Sequence, residues 1–510
     1  MDILAFALYF VTMIAIGVFF FFKSKAVTEK DYFLGGRAMG PYVTAMSAQA
    51  SDMSAWLLMG LPGSILAFGF GQAWIGIGLA IGTAANWILV AKRLRKFSKA
   101  SGDAITLPQY LSNRFASKSH AVSIICAVVF LVCFTIYVAS AFVAGADVFT
   151  TLVPTLSRSD AMLIFAAIVV LYTFLGGFSA VCWTDFFQGL LMIAALLIVP
   201  IVIGFTRTLD PDALRTVYTG PKGEEFKFVA DFFSASWKDI VSGLGWGLGY
   251  FGMPHIIVRF MAIKKPSMVK KSATVAIIWV VLSLAATIVI AYLGRMFVYS
   301  DGVDLSAKLL AEGKQSLIFV ELARDVFPAF IAGLLLAAII AASMSTADSQ
   351  LLVAASSFSS DLYKPLVRKN ASNKEMLWVS RIVVLVIAVV AFFIASSKGK
   401  AAQAIMDLVS NAWGIFGAAF GPAVLLSLFW KRFTYKGAVT GIVVGAVVDM
   451  AWLWLPIGGA TLTASTGIYE IIPGFILGAV AAVVVTLLDK KPSQEVEAIY
   501  ARATDNSIDD

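Results

Sequence analysis

Apolar runs, most of them long enough to cross a bilayer as helix, recur along nearly the whole chain and leave short polar intervals between them. About 20 predominantly apolar residues span roughly 30 Å of hydrocarbon as a helix. Unpaired backbone groups are costly in that medium, and a helix satisfies its own. The runs therefore specify an all-α, polytopic membrane protein. Composition agrees: 60% of the 510 residues are hydrophobic and 14% charged, with a mean hydropathy of +0.87. An ordinary soluble domain is about a quarter charged.

A formal charge of +8 suggests nucleic acid at first sight, but the Lys and Arg residues are dispersed through short loops and form no basic domain. That distribution is a topology signal, and no nucleic-acid partner is expected. Cys126, Cys133 and Cys182 fall in or beside apolar runs without paired spacing, as small core residues do, and indicate neither a disulfide framework nor a metal site. The first run, 3–22, lacks a basic leader and a small-residue cleavage site, so it reads as a retained helix.

Thirteen spans follow from the runs: 3–22, 40–68, 71–91, 119–150, 160–178, 183–206, 240–262, 272–299, 328–358, 375–396, 403–429, 437–455 and 470–488. The intervals 23–37, 92–99, 259–271, 364–374 and 431–436, with Lys490 and Lys491, hold most of the basic residues. The positive-inside rule then puts the N-terminus outside and the C-terminus in the cytoplasm. Surface helices are expected at 107–115 on the inside and 306–326 on the outside, and a mobile, acidic-ended tail after Lys490. The organisation read from this is a leading helix and loop (1–39), a first repeat (40–206), an outer loop (207–239), a second repeat (240–430), two closing helices (431–489) and the tail (490–510).

Within this frame two spans are interrupted. In the first repeat Ser47 to Gly60 reads SAQASDMSAWLLMG, placing Asp52 and several hydroxyls at membrane depth. An intramembrane carboxylate costs at least a few kcal/mol unless paired, which makes it a site candidate by default. The second repeat opens on 243–252, GLGWGLGYFG, followed by Met253 and Pro254. Glycines weaken a helix by up to about 1 kcal/mol each, and proline removes a hydrogen bond. Interrupted segments at matching positions of two halves point to an inverted-repeat transporter with its site between the breaks. An odd number of spans separates the starts of the two units, so they run in opposite directions, as inversion requires.

Three groups of residues carry the chemistry. Ser345, Thr346, Asp348 and Ser349 lie within one turn of the span 328–358, with Ser345 three residues from Asp348 and four from Ser349 on a shared face. Hard oxygens of this kind, beside the freed carbonyls of a broken helix, are what sodium requires. Trp183-Thr-Asp185 opens the span 183–206; Asp185 is a helix cap or a station on an inward ion route, and both readings stand. Trp246, Tyr250 and Pro254 recur at every fourth position around the second break, with Tyr137 in the span 119–150 a candidate to join them. Aromatics beside unwound backbone form an apolar pocket with a polar rim. That span has no Lys or Arg between His120 and Val153, which favours a small zwitterion over an anion needing a charged clamp. Asp449, His120 and His255 read as structural.

Together these residues resemble the solute:sodium symporter family, almost end to end. The resemblance rests on DYFLGGR (31–37), ASDMS (50–54), WLLMGLP (56–62), FTIY (134–137), LYTFLGGF (171–178) and WTD (183–185), then GWGLGYFG (245–252) with Pro254-His255, MST (344–346), QLLV (350–353) and YEIIPG (469–474). The SDMS and WGLGYFG blocks point to its proline-transporting branch.

The resemblance implies a LeuT-type core of two inverted five-helix repeats with two broken helices, and sodium-coupled uptake of L-proline across a bacterial inner membrane. It implies a sodium ion held by carbonyls of Ala50, Met53 and Ala342 and hydroxyls of Ser345 and Thr346, with Asp52 as the carboxylate on which sodium binding depends. Ser54, Ala55, Trp56, Tyr137, Trp246, Tyr250 and Pro254 would shape the proline pocket. Asp348 stands where the branch usually has a small polar residue; with Asp185 and Ser349 it marks a possible second sodium site or exit route. Sodium is the coupling ion, the bilayer the surroundings, and no organic cofactor is expected; oligomeric state is left open. The nearest alternative is the same scaffold carrying another amino acid, a monocarboxylate or pantothenate. A channel or sensor, and a membrane-embedded enzyme, lack support: the chain has no signalling domain, nucleophile–base pair or metal motif.

Overall fold

The computed structural model describes residues 1–24, 28–397 and 403–505. Ten helices among the described residues are long and apolar enough to cross a membrane. Arg158–Gly176 and two broken helices complete thirteen crossings, as the run lengths require. Asp2–Ser24 and the closing pair Tyr435–Trp454 and Ile471–Leu488 flank two groups of five, each opening on a broken helix. Five crossings separate the two openings, so the groups are inverted with respect to each other. The protein is thus a multi-pass, all-α membrane protein. The N-terminus, the 207–236 segment and the 296–328 segment share one face, called here the N-terminal face; the tail lies on the opposite, C-terminal face.

The first broken helix starts at Pro41, whose fixed φ suits the first turn. It runs Pro41–Asp52, unwinds at Met53 and Ser54, turns once through Ala55–Leu57 and resumes as Gly60–Phe68. The second runs Trp237–Gly245, tightens into a 3-10 stretch at Trp246–Phe251, and resumes at Pro254–Ala262. The half Pro41–Asp52 packs against Phe178–Thr206, Val269–Arg295, Pro254–Ala262 and Ala329–Ser356, which brings both breaks and the hydroxyl-rich helix together. Ala73–Ala85 leads into a π-helical turn at Asn86–Ala91, and there the Asn86 amide donates to the Tyr250 carbonyl at 3.0 Å.

The surface segments differ from expectation in two places. The span expected at 306–326 is two helices, Leu305–Ala311 and Ile318–Val326, parted by a turn in which Gly313 takes φ +64°. The tail expected to be mobile forms the helix Gln494–Thr504, capped by the Ser493 hydroxyl. Its buried Val496, Ile499 and Ala503 recur at three- and four-residue spacing, and Tyr500 meets the Phe97 ring edge-on at 5.3 Å. That stripe is short and interleaved with charge, which hides its amphipathicity from composition alone. Two short hairpins, Tyr218–Thr219 with Glu225–Phe226 and Pro456–Ile457 with Ala460–Thr461, decorate the N-terminal face.

Candidate functional site

In an uninterrupted helix the Ala50 carbonyl would accept from the N–H four residues on, at Ser54. Here the chain leaves helical geometry at Met53 (φ −84°, ψ 73°), and Ser54 N–H turns back to the Asp52 carbonyl at 3.0 Å. The freed Ala50 carbonyl accepts from the Ser345 hydroxyl at 2.8 Å, 295 residues away in sequence. The Ser345 hydroxyl also lies 3.2 Å from the Ala342 carbonyl. Beside it the Thr346 hydroxyl is buried without a hydrogen-bond partner among the described residues. Three of the oxygens expected to hold sodium thus converge on one point, with a fourth donor idle next to them. Asp52 is fully buried; its Oδ2 accepts from the Tyr250 hydroxyl at 2.5 Å, and its Oδ1 has no hydrogen-bond partner among the described residues. One hydrogen bond therefore joins the two breaks.

The aromatic residues also meet. Trp56 and Trp246 lie with ring centroids 6.4 Å apart, and Tyr250 meets Trp413 edge-on at 5.1 Å. Tyr137 stands beside Asp52, Ser54 and Trp56, its hydroxyl buried. Ser54 caps the turn that carries Ala55 and Trp56, its hydroxyl 3.4 Å from the Trp56 N–H. Pro254 begins the resumed half of the second broken helix, where its missing N–H costs nothing. The glycines of the second break are there for close approach: a Cβ on Gly249 would stand 2.0 Å from Trp413 Nε1, and one on Gly252 2.2 Å from the Phe416 carbonyl oxygen. Trp413 uses the room to donate to the Trp246 carbonyl at 2.8 Å. Tyr469 stacks on Trp246 at 5.1 Å from the N-terminal face, its hydroxyl donating to the Ser410 carbonyl at 2.7 Å.

Asp185, Asp348 and Ser349 come together as well, but around a residue that the basic-interval rule had assigned to the loop 259–271. Arg259 lies inside the helix Pro254–Ala262, 1% exposed. Its Nη2 contacts Asp185 Oδ2 at 3.0 Å and Ser349 Oγ at 2.5 Å, its Nε donates to Ser47 Oγ at 2.9 Å, and its Nη1 donates to the His255 carbonyl. Ser47 in turn donates to Asp185 Oδ2 at 2.6 Å, and Ser349 to Asp348 Oδ1 at 3.3 Å. A guanidinium is held in place by a carboxylate, two hydroxyls and a carbonyl, with Asp348 adjoining. The signal was present in the sequence: Arg259 is the single charge inside PHIIVRFMA, and a charge within an apolar helix faces the protein interior. Ser47, Asn86, Trp413 and Tyr469 were likewise missed as site residues.

His255 is buried, edge-on to Phe134 and Tyr137. Asp449 is also buried, with no hydrogen-bond partner among the described residues, away from both breaks in the closing helix Tyr435–Trp454. The three cysteines are buried and free.

A cavity of about 530 Å³ opens over Trp246 and Tyr469 from the N-terminal face; among the described residues Gln72, Asp239, Asp407 and Glu470 line it, and no Lys or Arg does. Among the described residues, polar contacts seal the C-terminal face. Arg37 donates to the carbonyls of Met261 at 2.5 Å and Ala104 at 2.7 Å and pairs with Asp103 at 2.8 Å. Arg95 donates to the Ile263 and Lys264 carbonyls at 2.7 and 3.1 Å. Lys30 reinforces Asp103. Two broken helices, a buried polar site between them, a cavity on one side and a seal on the other define a LeuT-fold secondary transporter.

Comparison with known proteins agrees. The model of the sodium:solute symporter family matches residues 32–445, and the chain belongs to that family. It is 42% identical to the sodium/proline symporter of Escherichia coli (strain K12), over 98% of this chain and 96% of that protein. It is 41% identical to the high-affinity proline transporter PutP of Bacillus subtilis (strain 168), over 95% and 97%. Among solved structures, a Na+-coupled sialic acid symporter in a substrate-bound outward-open state superposes with a TM-score of 0.74 at 19% identity, covering 97% of this chain and 98% of the other.

Proposed function

We propose that the chain carries L-proline inward together with sodium, by alternating access, through a bacterial inner membrane with its N-terminus outside. The observation that carries this is the meeting, beside Asp52, of the freed Ala50 carbonyl, the Ala342 carbonyl and the Ser345 and Thr346 hydroxyls. Hydroxyl and carbonyl oxygens next to a buried carboxylate suit a small hard cation. The Met53 carbonyl, at the unwound turn, completes the donor set proposed for the ion. The pocket walled by Trp56, Tyr137, Trp246, Tyr250 and Pro254, with Ser54 and Ala55 at its edge, offers apolar surface to a pyrrolidine ring. The proline relatives support that choice of solute. Acidic lining in the cavity above favours cations and zwitterions over anions.

Coupling follows from the hydrogen bonds. Sodium seated among these oxygens ties the first break to Ala329–Ser356, and Asp52 relays its charge to Tyr250 in the second break. The ion and the solute thereby favour the same closed arrangement, after which the repeats 40–206 and 240–430 rock and the Arg37 and Arg95 seals release. One sodium entering across 100 mV contributes about 2.3 kcal/mol before any concentration difference, enough for nearly fifty-fold accumulation. We propose that the stoichiometry is one sodium per proline, because the Arg259 guanidinium already supplies the positive charge among Asp185, Asp348 and Ser349.

The test is uptake of labelled L-proline into proteoliposomes with and without an inward sodium gradient, with potassium as the control ion. Sodium-dependent accumulation is expected. No sodium-dependent uptake removes proline as the solute, and competition by other amino acids, monocarboxylates and pantothenate then identifies it.

A further inference from the structure

On the C-terminal face, clear of the transport site, lies a cleft of about 170 Å³ lined by Arg95, Lys96, Lys99, Lys264 and Arg502, with only an alanine and a proline besides. Three elements converge there: the helix Lys92–Ala100, the turn after the second broken helix, and the tail helix Gln494–Thr504. Dispersed basic residues of the positive-inside kind need only sit at an interface. These are gathered into a concavity, and the gathering is electrostatically unfavourable by itself. Arg95 and Lys99 are like charges four residues apart on one helix face, which destabilises a helix, and Lys264 and Arg502 add two more across the cleft.

Three of these cations lack a counter-charge among the described residues. Lys99, Lys264 and Arg502 make no ion pair among the described residues, and Lys96 donates to a carbonyl, that of Asp505, at 2.9 Å. The nearby carboxylate Asp103 is paired with Lys30 and Arg37 and also lends its charge to Arg95. Arg95 is 4% exposed; its Nε and Nη2 are engaged by the Ile263 and Lys264 carbonyls, and its Nη1 has no hydrogen-bond partner among the described residues. A buried guanidinium with a spare nitrogen, rimmed by Lys99, Lys264 and Arg502, which make no ion pair among the described residues, matches an oxyanion with several acceptor oxygens.

We propose that this cleft binds a phosphate group, and that its occupant links the tail helix to the turn following the second broken helix. Two sources share that chemistry: the headgroup of an anionic phospholipid, reachable because Lys92–Ala100 continues a membrane-crossing helix, and free inorganic phosphate. The inference is independent of the solute carried.

The test uses the full chain in detergent, reading the thermal unfolding midpoint against dihexanoyl phosphatidylglycerol and, separately, inorganic phosphate, with sodium chloride at matched ionic strength as control. The wild-type chain is compared with Lys99→Gln/Lys264→Gln/Arg502→Gln and with Arg502→Gln alone, whose side chain is exposed on the tail helix. A saturable rise is expected in the wild type. The half-saturating concentration should increase roughly fivefold in Arg502→Gln and on the order of a hundredfold in the triple variant. A rise with the lipid alone assigns the headgroup as the source, and a rise with inorganic phosphate assigns the free anion; either supports the site. An equal rise with sodium chloride, or unchanged half-saturation in Arg502→Gln, overturns it even if the triple variant does not fold.

Discussion

If one sodium accompanies each proline, as proposed, replacing Arg259 by glutamine should convert the protein into one that takes up two. In the wild-type chain Nη2 stands 3.0 Å from Asp185 Oδ2, with both side chains buried. At an effective dielectric of about 20 that pair is worth about 5 kcal/mol of Coulomb attraction. Breaking a buried pair by removing one partner typically costs about 3–5 kcal/mol, because the other charge stays buried and uncompensated. After Arg259→Gln, Asp185 keeps the Ser47 hydroxyl at 2.6 Å, Ser349 keeps Asp348, and the cluster has lost its cation. Sodium is the abundant ion able to replace it, and a hundredfold excess over its dissociation constant restores about 2.7 kcal/mol. The variant should therefore be less stable than wild type in choline chloride and recover more than half of the loss in sodium chloride. Its proline uptake should depend on sodium with a Hill coefficient rising from about one toward two, the limit set by the number of sites. Thermal unfolding of purified protein and uptake in proteoliposomes at varied sodium read these two quantities. Equal sodium response of stability in wild type and variant, with an unchanged Hill coefficient, would refute the reasoning, as would a wild-type coefficient already near two.

Asp52→Asn removes the carboxylate joined to Tyr250, and a unit charge a few Å away is worth on the order of a few kcal/mol. The sodium concentration for half-maximal uptake should rise at least about tenfold, with Asp52→Glu retaining partial activity; unaltered sodium dependence in Asp52→Asn would refute its role. Gly249→Ala drives a Cβ to within 2.0 Å of Trp413 Nε1, so it should lower stability by about 1–3 kcal/mol and reduce uptake, whereas Gly40→Ala, with nothing within 4 Å, should behave as wild type. At the C-terminal seal, burial would push the Asp103 carboxyl up, but hydrogen bonds and charge from Lys30 and Arg37 outweigh it and hold it below the ordinary value. A depressed carboxylate stabilises fully above its unfolded pKa of about 3.9 and loses that contribution only as pH falls through the folded value. Uptake between pH 5 and 8 should thus show no transition from this pair, and Asp103→Asn should change stability alike at both ends of that range.

Much of the site was legible in the sequence because helix breakers are local. The glycines of 243–252, Pro254, and the polar stretch around Asp52 mark unwound backbone wherever the surrounding run is apolar. Ser345 and Thr346 are legible for the same reason, as clustered hydroxyls within an otherwise apolar helix. Arg259 was misread because the basic-interval rule treats an arginine near a span's end as an interface marker, and its partner Asp185 lies 74 residues away. Trp413 and Tyr469 look like ordinary packing aromatics; what distinguishes them is the Trp246 carbonyl that one meets and the Trp246 ring that the other covers.

The sequence by itself determined that this chain crosses the bilayer as helices, about how many times, and where two of them come apart. The physical reason is that hydrocarbon offers no partner to the backbone, so run length and helix breakers alone decide these matters. Tertiary structure decided which polar groups meet: Ser345 with Ala50 across 295 positions, Tyr250 with Asp52 across 198, and Arg259 with Asp185, Ser47 and Ser349. Lipid and neighbouring helices are almost equally apolar, so composition does not reveal which face of a helix turns inward. Packing and hydrogen bonds between helices settle that, and with it which residues meet at the candidate site.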